Sequence, residues 1–261
     1  MKKTNKILAI DIGNTTISYG LFHDARLIKH HYVDSDNMSA LIKSLTKCKV
    51  NSQWSVVMSS VVPNKTSVLK KALQHSFKGI KIWSIGENMQ LPLKMKYQRK
   101  NLGADRLVNL YGAIQKYKAP LLVIDCGTAI TFDYVSRKRI FLGGLIVPGL
   151  ETSWKALQEK ATLLPKHLKL ELISGVAARL APTNTKSAMY SGLLNGFGAL
   201  IDGLIGRFKK KYGRQLTVLA TGGASQLISK YSRRIDVVDP LHTLRSLDLI
   251  YRKLIQSRMS S

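Results

Sequence analysis

Long apolar runs, cysteine and acidic residues are all scarce in this chain, and each shortage excludes something. No segment reaches the roughly 18 uninterrupted apolar residues a membrane helix needs; the best candidate, SGLLNGFGALIDGLIG at 191–206, contains Asn195 and Asp202. The opening MKKTNKILAID has an apolar run of about four residues that ends on Asp11, too short for a signal peptide. A cytoplasmic protein with no membrane partner is therefore expected. The two cysteines, Cys48 and Cys126, lie far apart without a CxxC partner, which excludes a disulfide framework and a zinc site. Only 15 Asp and Glu stand against 41 Lys and Arg, a net charge of +26. Such a surface attracts nucleic acid, anionic membranes or anionic metabolites. Its cations are dispersed (Lys2, Lys3, Lys70, Lys71, Lys209 to Lys211, Arg233, Arg234), with no zinc finger and no aromatic-interleaved RNA motif among them. The charge is read as a solubility bias, with nucleic acid a possible partner that is not expected.

What is present is an ordinary globular composition, 45% hydrophobic and 21% charged, in 261 residues. That length supports one large domain or two medium ones with real cores. Periodicity and turn residues predict strands over 6–10, 16–22 and 27–33, a helix over 38–48 capped by Ser35 or Asp36, and a strand over 56–62. A helix capped by Asn64 runs to 77, a strand follows over 80–85, a loop or lid over 86–101, and a helix over 104–117. At Pro120 the pattern restarts with strands over 121–124, 129–135 and 140–147 and a helix over 150–160. A long helix over 186–211, a strand over 216–220, a short helix from Ala224, a strand over 235–238 and a helix over 241–255 complete the chain. The second half repeats the plan of the first, the period of a domain rather than a solenoid. Two similar α/β domains are expected, 1–118 and 119–261, with the alternative that the last helix packs back on the first.

The repeat is sharpest where it carries chemistry. ILAIDIGNTTISYGL at 7–21 returns as LLVIDCGTAITFDYV at 121–135, so that Asp11 and Asp125 stand 114 residues apart. A strand that ends in Asp and turns on Gly13 or Gly127 into a second strand gathers a carboxylate, backbone N–H groups and Thr or Ser hydroxyls at one bend. Such N–H groups cradle phosphate oxygens, and the carboxylate holds a cation directly or through its waters. Cys126, inside the second copy, reads as a small residue on a buried turn. VLATGGAS at 218–225 adds a Gly222-Gly223 turn after a late strand, suited to contact with a nucleotide or simply to a tight turn into a helix. NLGADRLVNLYGA at 101–113 sets Asp105 and Arg106 at a helix start. Arg106 with the helix N-terminus can hold an anionic substrate while Asp105 takes a proton. The alternative is a capping Asp105 and a solvated Arg106. In the long helix, Gly192, Gly196, Ala199 and Gly203 recur at three- or four-residue steps. This small-residue stripe suits close approach of a second subunit or of the chain's own second sheet.

The paired DxGxT bends resemble those of the actin, Hsp70 and sugar-kinase superfamily. Together with FLGGLIVPGL and NTKSAMYSG, the motifs from Ile7 to Ser225 resemble type III pantothenate kinase. The resemblance implies two ribonuclease-H-like α/β domains of the actin-like ATPase fold around a nucleotide cleft. It implies phosphorylation of pantothenate by Mg-ATP, the entry to coenzyme A synthesis, in a homodimer. Asp11, Ile12, Gly13, Asn14, Thr15, Thr16, Ile17 and Ser18 correspond to the first ATP loop, and Thr128, Gly222 and Gly223 to further nucleotide contacts. Asp125 corresponds to the ligand of a monovalent cation, potassium or ammonium, and Asp105 to the proton acceptor. Tyr97, Gly103, Ala104, Asp105, Arg106 and Thr185 correspond to the pantothenate site. The chain departs from the family in having no proline between Tyr97 and Gly103. Two other functions stay open: a kinase of the same fold with another small acceptor, and a transcriptional accessory protein that binds nucleic acid or a partner through the basic surface.

Overall fold

The computed structural model describes residues 5–161, 164–166 and 179–255, so that Lys2 and Lys3 lie outside the described residues. The chain forms two compact units, residues 1–116 with 241–261, and residues 117–240.

The first unit opens with three antiparallel strands, β1 (Lys6–Ile12), β2 (Thr16–His23) and β3 (Arg26–Asp34). Asp24 and Ala25, both at positive φ, make the two-residue turn between β2 and β3 that a tight hairpin requires. Helix α1 (Met38–Lys47), β4 (Trp54–Ser60), α2 (Pro63–Ser76), β5 (Lys81–Ser84), the short β6 (Lys94–Met95) and α3 (Ala104–Lys116) follow. The sheet order is β3-β2-β1-β4-β5, with β4 and β5 parallel to β1. As the central strand, β1 has both faces covered, so Ile7 through Ile10 are buried without alternation. Leu8, Ile10, Ile17 and Tyr19 pack against Leu41 and Leu45 of α1 and Leu69 and Leu73 of α2. β3 is the edge and is largely exposed and polar.

In the second unit β7 (Leu121–Cys126), β8 (Ala129–Val135) and β9 (Ile140–Pro148) repeat the meander. Helix α4 (Leu150–Lys160), α5 (Thr185–Tyr212), β10 (Thr217–Thr221), α6 (Ser225–Ile228) and β11 (Val237–Val238) follow. Its strands run β11-β10-β7-β8-β9, the same order as in the first unit, again with two parallel strands beyond the first of the meander. Helix α5 is long and apolar enough to cross a membrane by composition alone. Its Leu194, Phe197, Ile201 and Ile205 instead form the core over Leu122, Ile124 and Phe132. Asp202 on the same helix accepts hydrogen bonds from Ser232 Oγ and from the N–H groups of Arg233 and Arg234.

Helix α7 (His242–Ile250), extended by a π-helical turn over Tyr251–Ile255, returns to the first unit. There Tyr251 meets Ser55 through a buried hydrogen bond of 3.0 Å, His242 meets Asn109 O at 3.0 Å, and Thr243 donates to Asn109 Oδ1 at 2.8 Å.

Three local expectations are corrected. The cap of α1 is Asn37, which accepts from Ala40 N, because Ser35 and Asp36 are engaged elsewhere. Helix α2 begins at Pro63, whose fixed φ and missing N–H suit a first helical position, so Asn64 lies inside the helix and caps nothing. The 86–101 segment is not wholly loop: it holds β6 and a 3-10 turn at Arg99–Asn101, and its Leu91 and Leu93 are buried.

Candidate active site

The turn from β1 to β2 is closed by a 2.9 Å hydrogen bond from Gly13 N to Thr16 O, which leaves Asn14, Thr15 and Thr16 exposed at the tip. Asp11, at the end of β1, lies beside Ser59 of β4 in parallel register and accepts a 2.5 Å hydrogen bond from its hydroxyl. Protein atoms around this carboxyl, and the nearby charge of Asp105, push its pKa up to about 7 against the lowering effect of Ser59. Ile12 and Ile17 are buried partners that fix the two ends of the loop, and Ser18 pairs with Asp11 across the strands.

Asp105 and Arg106 sit in the first turn of α3. Asp105 Oδ1 accepts from Arg106 N at 2.7 Å. A side chain on Gly103 would come within 2.4 Å of that same oxygen, so glycine is what lets the carboxylate fold back over the helix start. Arg106 is not a solvated residue: it is 7% exposed, with its guanidinium 5.7 Å from the centre of the Tyr97 ring. Thus Asp11, Tyr97, Gly103, Ala104, Asp105 and Arg106 all belong to the first unit.

The second unit builds its own bend. Gly127 N donates to Ala129 O at 3.1 Å, and Thr128 O accepts both Gly149 N at 2.9 Å and Thr152 Oγ1 at 2.7 Å. Gly149 approaches so closely that a Cβ there would lie 2.1 Å from Gly127 O. Gly222, at φ +87°, stacks on the same bend; its Cβ would lie 2.4 Å from Asp125 Oδ1 and 2.8 Å from the Cys126 backbone. Only glycine has both the conformation and the size for that position. Gly223 faces open space. Thr221 is the register partner of Asp125 on the parallel strand β10, and its buried hydroxyl has no hydrogen-bond partner among the described residues. Burial, with the charge of Asp125, holds the Cys126 thiol protonated, its pKa pushed up to about 12, which is incompatible with a nucleophile at neutral pH. Thr185, the first residue of α5, is exposed beside the cap Asn184.

Ser35, Ser59, Lys65 and Thr221 are neighbours of these bends that sequence reasoning did not find. The repeat offered one signal: Gly149 stands 114 residues after Ser35, and each donates its N–H to a carbonyl of its bend, Ser35 to Thr15 O and Gly149 to Thr128 O. Lys65 has no such signal.

Sequence comparison gives one family, and structure comparison gives one fold. The family model for type III pantothenate kinase matches residues 7–207. The type III pantothenate kinase of Bacillus cytotoxicus is 34% identical over 257 residues, 95% of this chain and 96% of the relative. Among solved structures, a Campylobacter jejuni protein assigned to the Baf family of transcriptional activators aligns at a TM-score of 0.59 with 22% identity, over 95% of this chain and 99% of the other. A Sinorhizobium meliloti protein described as a 2-dehydro-3-deoxygalactonokinase aligns at 0.59 with 10% identity, over 95% and 96% of the two chains. At such identities these two alignments speak for the fold, which is that of the actin-like ATPases and sugar kinases.

Proposed function

The chain belongs to the type III pantothenate kinase family, and from that premise we propose how its residues transfer the γ-phosphoryl group of ATP to the primary hydroxyl of pantothenate in the cytoplasm. The bond from the acceptor oxygen to phosphorus forms as the bond to the ADP oxygen breaks, and the hydroxyl proton passes to a base. Asp105 is that base. The observation that carries the assignment is its place in the first turn of α3, anchored by Arg106 N and close enough to Asp11 for the two charges to repel. Arg106, buried beneath Tyr97, is the group for the pantothenate carboxylate. Gly103 and Ala104 shape that end of the site, and Thr185 contributes a hydroxyl from the N-terminus of α5.

The backbone of Gly13 to Thr16 and the hydroxyls of Thr15, Thr16 and Ser18 receive ATP phosphates, with Thr128, Gly222 and Gly223 as the nucleotide contacts of the second unit. Mg²⁺ arriving with ATP supplies charge neutralisation at the phosphates. Asp11 suits it, because the charge of Asp105 repels that of Asp11, and a cation beside two like charges relieves the repulsion. Asp125 would hold the monovalent cation, potassium or ammonium, and Thr221, its register partner on β10, would offer a buried hydroxyl oxygen beside it. The active form is a homodimer: a Cβ added at Gly192, Gly196 or Gly203 of α5 would meet nothing within 4 Å among the described residues outside the helix itself, whereas one at Gly198 would strike Tyr231 O.

The test is ADP release with Mg-ATP, with and without pantothenate, in potassium or ammonium buffer and again in sodium. Pantothenate-dependent turnover that requires potassium or ammonium is expected. Asp105→Asn should lower kcat on the order of 10²-fold or more with ATP binding retained; near-normal turnover would remove Asp105 from the role of base. A folded wild type without pantothenate-dependent turnover would overturn the choice of acceptor.

A further inference from the structure

The tip of the first phosphate loop is held from behind by two segments with no assigned role. Ser35, 1% exposed, donates its N–H to Thr15 O at 2.9 Å and its hydroxyl to Asn14 O at 2.7 Å. Lys65, in the first turn of α2, places Nζ 2.5 Å from Ser35 Oγ, 3.4 Å from Asn14 O and 2.7 Å from Asp36 Oδ1. In a planar trans peptide the carbonyl and the next N–H point in opposite directions. With the Asn14 and Thr15 carbonyls drawn toward Ser35, the N–H groups of Thr15 and Thr16 turn to the opposite side of the tip.

The second unit separates what is general in this arrangement from what is particular. There Thr128, 114 residues after Asn14, is strapped by Gly149 and Thr152, neither of them charged. The strap is common to both bends, and the first adds a lysine to it.

We infer that Lys65 is a positioning residue of the nucleotide site: through Ser35 it locks the loop tip with its N–H groups outward, and from behind the loop it adds a positive charge that favours ATP phosphates on the N–H side. The inference rests on the nucleotide reading of Asp11 to Ser18 given above. Asp36, 84% exposed, is the counter-ion of Lys65. An exposed carboxylate offsets an ammonium only weakly, so much of the charge of Lys65 still acts across the loop on phosphates at the N–H side.

Calorimetric titration of Mg-ATP, without acceptor, into the wild type, Lys65→Met, Lys65→Arg and Asp36→Asn tests this, with KM values for ATP and pantothenate and the melting temperature of each. Lys65→Met, which keeps most of the stem and removes the charge, should weaken ATP on the order of tenfold. The KM for pantothenate and the melting temperature should stay near wild type, Lys65→Arg should recover most of the loss, and Asp36→Asn should bind ATP at least as tightly as wild type. Lys65→Gln is a second neutral variant should the Met variant not fold. ATP affinity within about twofold of wild type in a neutral variant would overturn the inference. So would equal losses for ATP and pantothenate together with a fallen melting temperature, the mark of a structural role. A wild type that binds ATP without phosphorylating pantothenate would overturn the acceptor and leave the Lys65 comparison valid; one that binds no ATP would overturn both.

Discussion

At Asp11 two demands on one carboxylate conflict: phosphate chemistry wants it ionised beside a cation, whereas its surroundings favour the proton. Its pKa rises from 3.8 to about 7, chiefly through burial and then through Asp105. The ligand-free folded protein therefore binds a proton there that the unfolded chain has already released. The contribution to stability is full below about pH 4 and is lost as pH rises toward 7. Asp11→Asn should remove that slope and raise ligand-free stability at pH 8 by ~1–3 kcal/mol while weakening productive ATP binding. Urea unfolding at a series of pH values reads this directly, and a variant that kept the wild-type slope would contradict it. The Asp11, Gly13, Asp125 and Gly127 pattern was legible because it is written twice. Ser59, Ser35 and Lys65 were not, since each reaches its bend from a distant segment: Ser59 through pairing of β4 with β1, Ser35 from the turn after β3, and Lys65 from the first turn of α2.

Among the elements, two helices show opposite uses of glycine. Gly112 of α3 lies so close to α7 that a Cβ would fall 1.8 Å from Ser246 Oγ. Gly112→Ala must push these helices apart and should cost ~2–3 kcal/mol in chemical denaturation. A Cβ added at Gly196 of α5 would meet nothing within 4 Å among the described residues outside the helix, so Gly196→Leu is accommodated there and even gains helix propensity. If α5 is the dimer face, that substitution should shift sedimentation from dimer to monomer with the fold intact by circular dichroism; an unchanged dimer would place the interface elsewhere. Sequence periodicity located both helices but left the role of the stripe open between subunit and intrachain packing. Space around each glycine separates Gly198, which packs against Tyr231, from Gly192, Gly196 and Gly203, which have open space beside them among the described residues.

For the molecule as a whole, 41 basic residues against 15 acidic ones make long-range attraction of ATP and pantothenate, both anionic, an expected consequence. Screening shortens that reach to about 10 Å at 0.1 M salt. Raising salt from about 50 to 500 mM should increase KM for both substrates several-fold and change kcat little; a salt-independent KM would leave the charge without a part in substrate capture. The sequence by itself determined the doubled α/β plan, the two DxGxT bends and the Asp105-Arg106 pair, because strand periodicity, turn glycines and helix starts are local properties. Tertiary structure alone decided that α7 joins the first unit, that Arg106 is buried under Tyr97, that Thr221 lies beside Asp125, and that Lys65 reaches Asn14. These depend on which distant segments share a sheet or a face, and burial and charge coupling exist only once those segments meet.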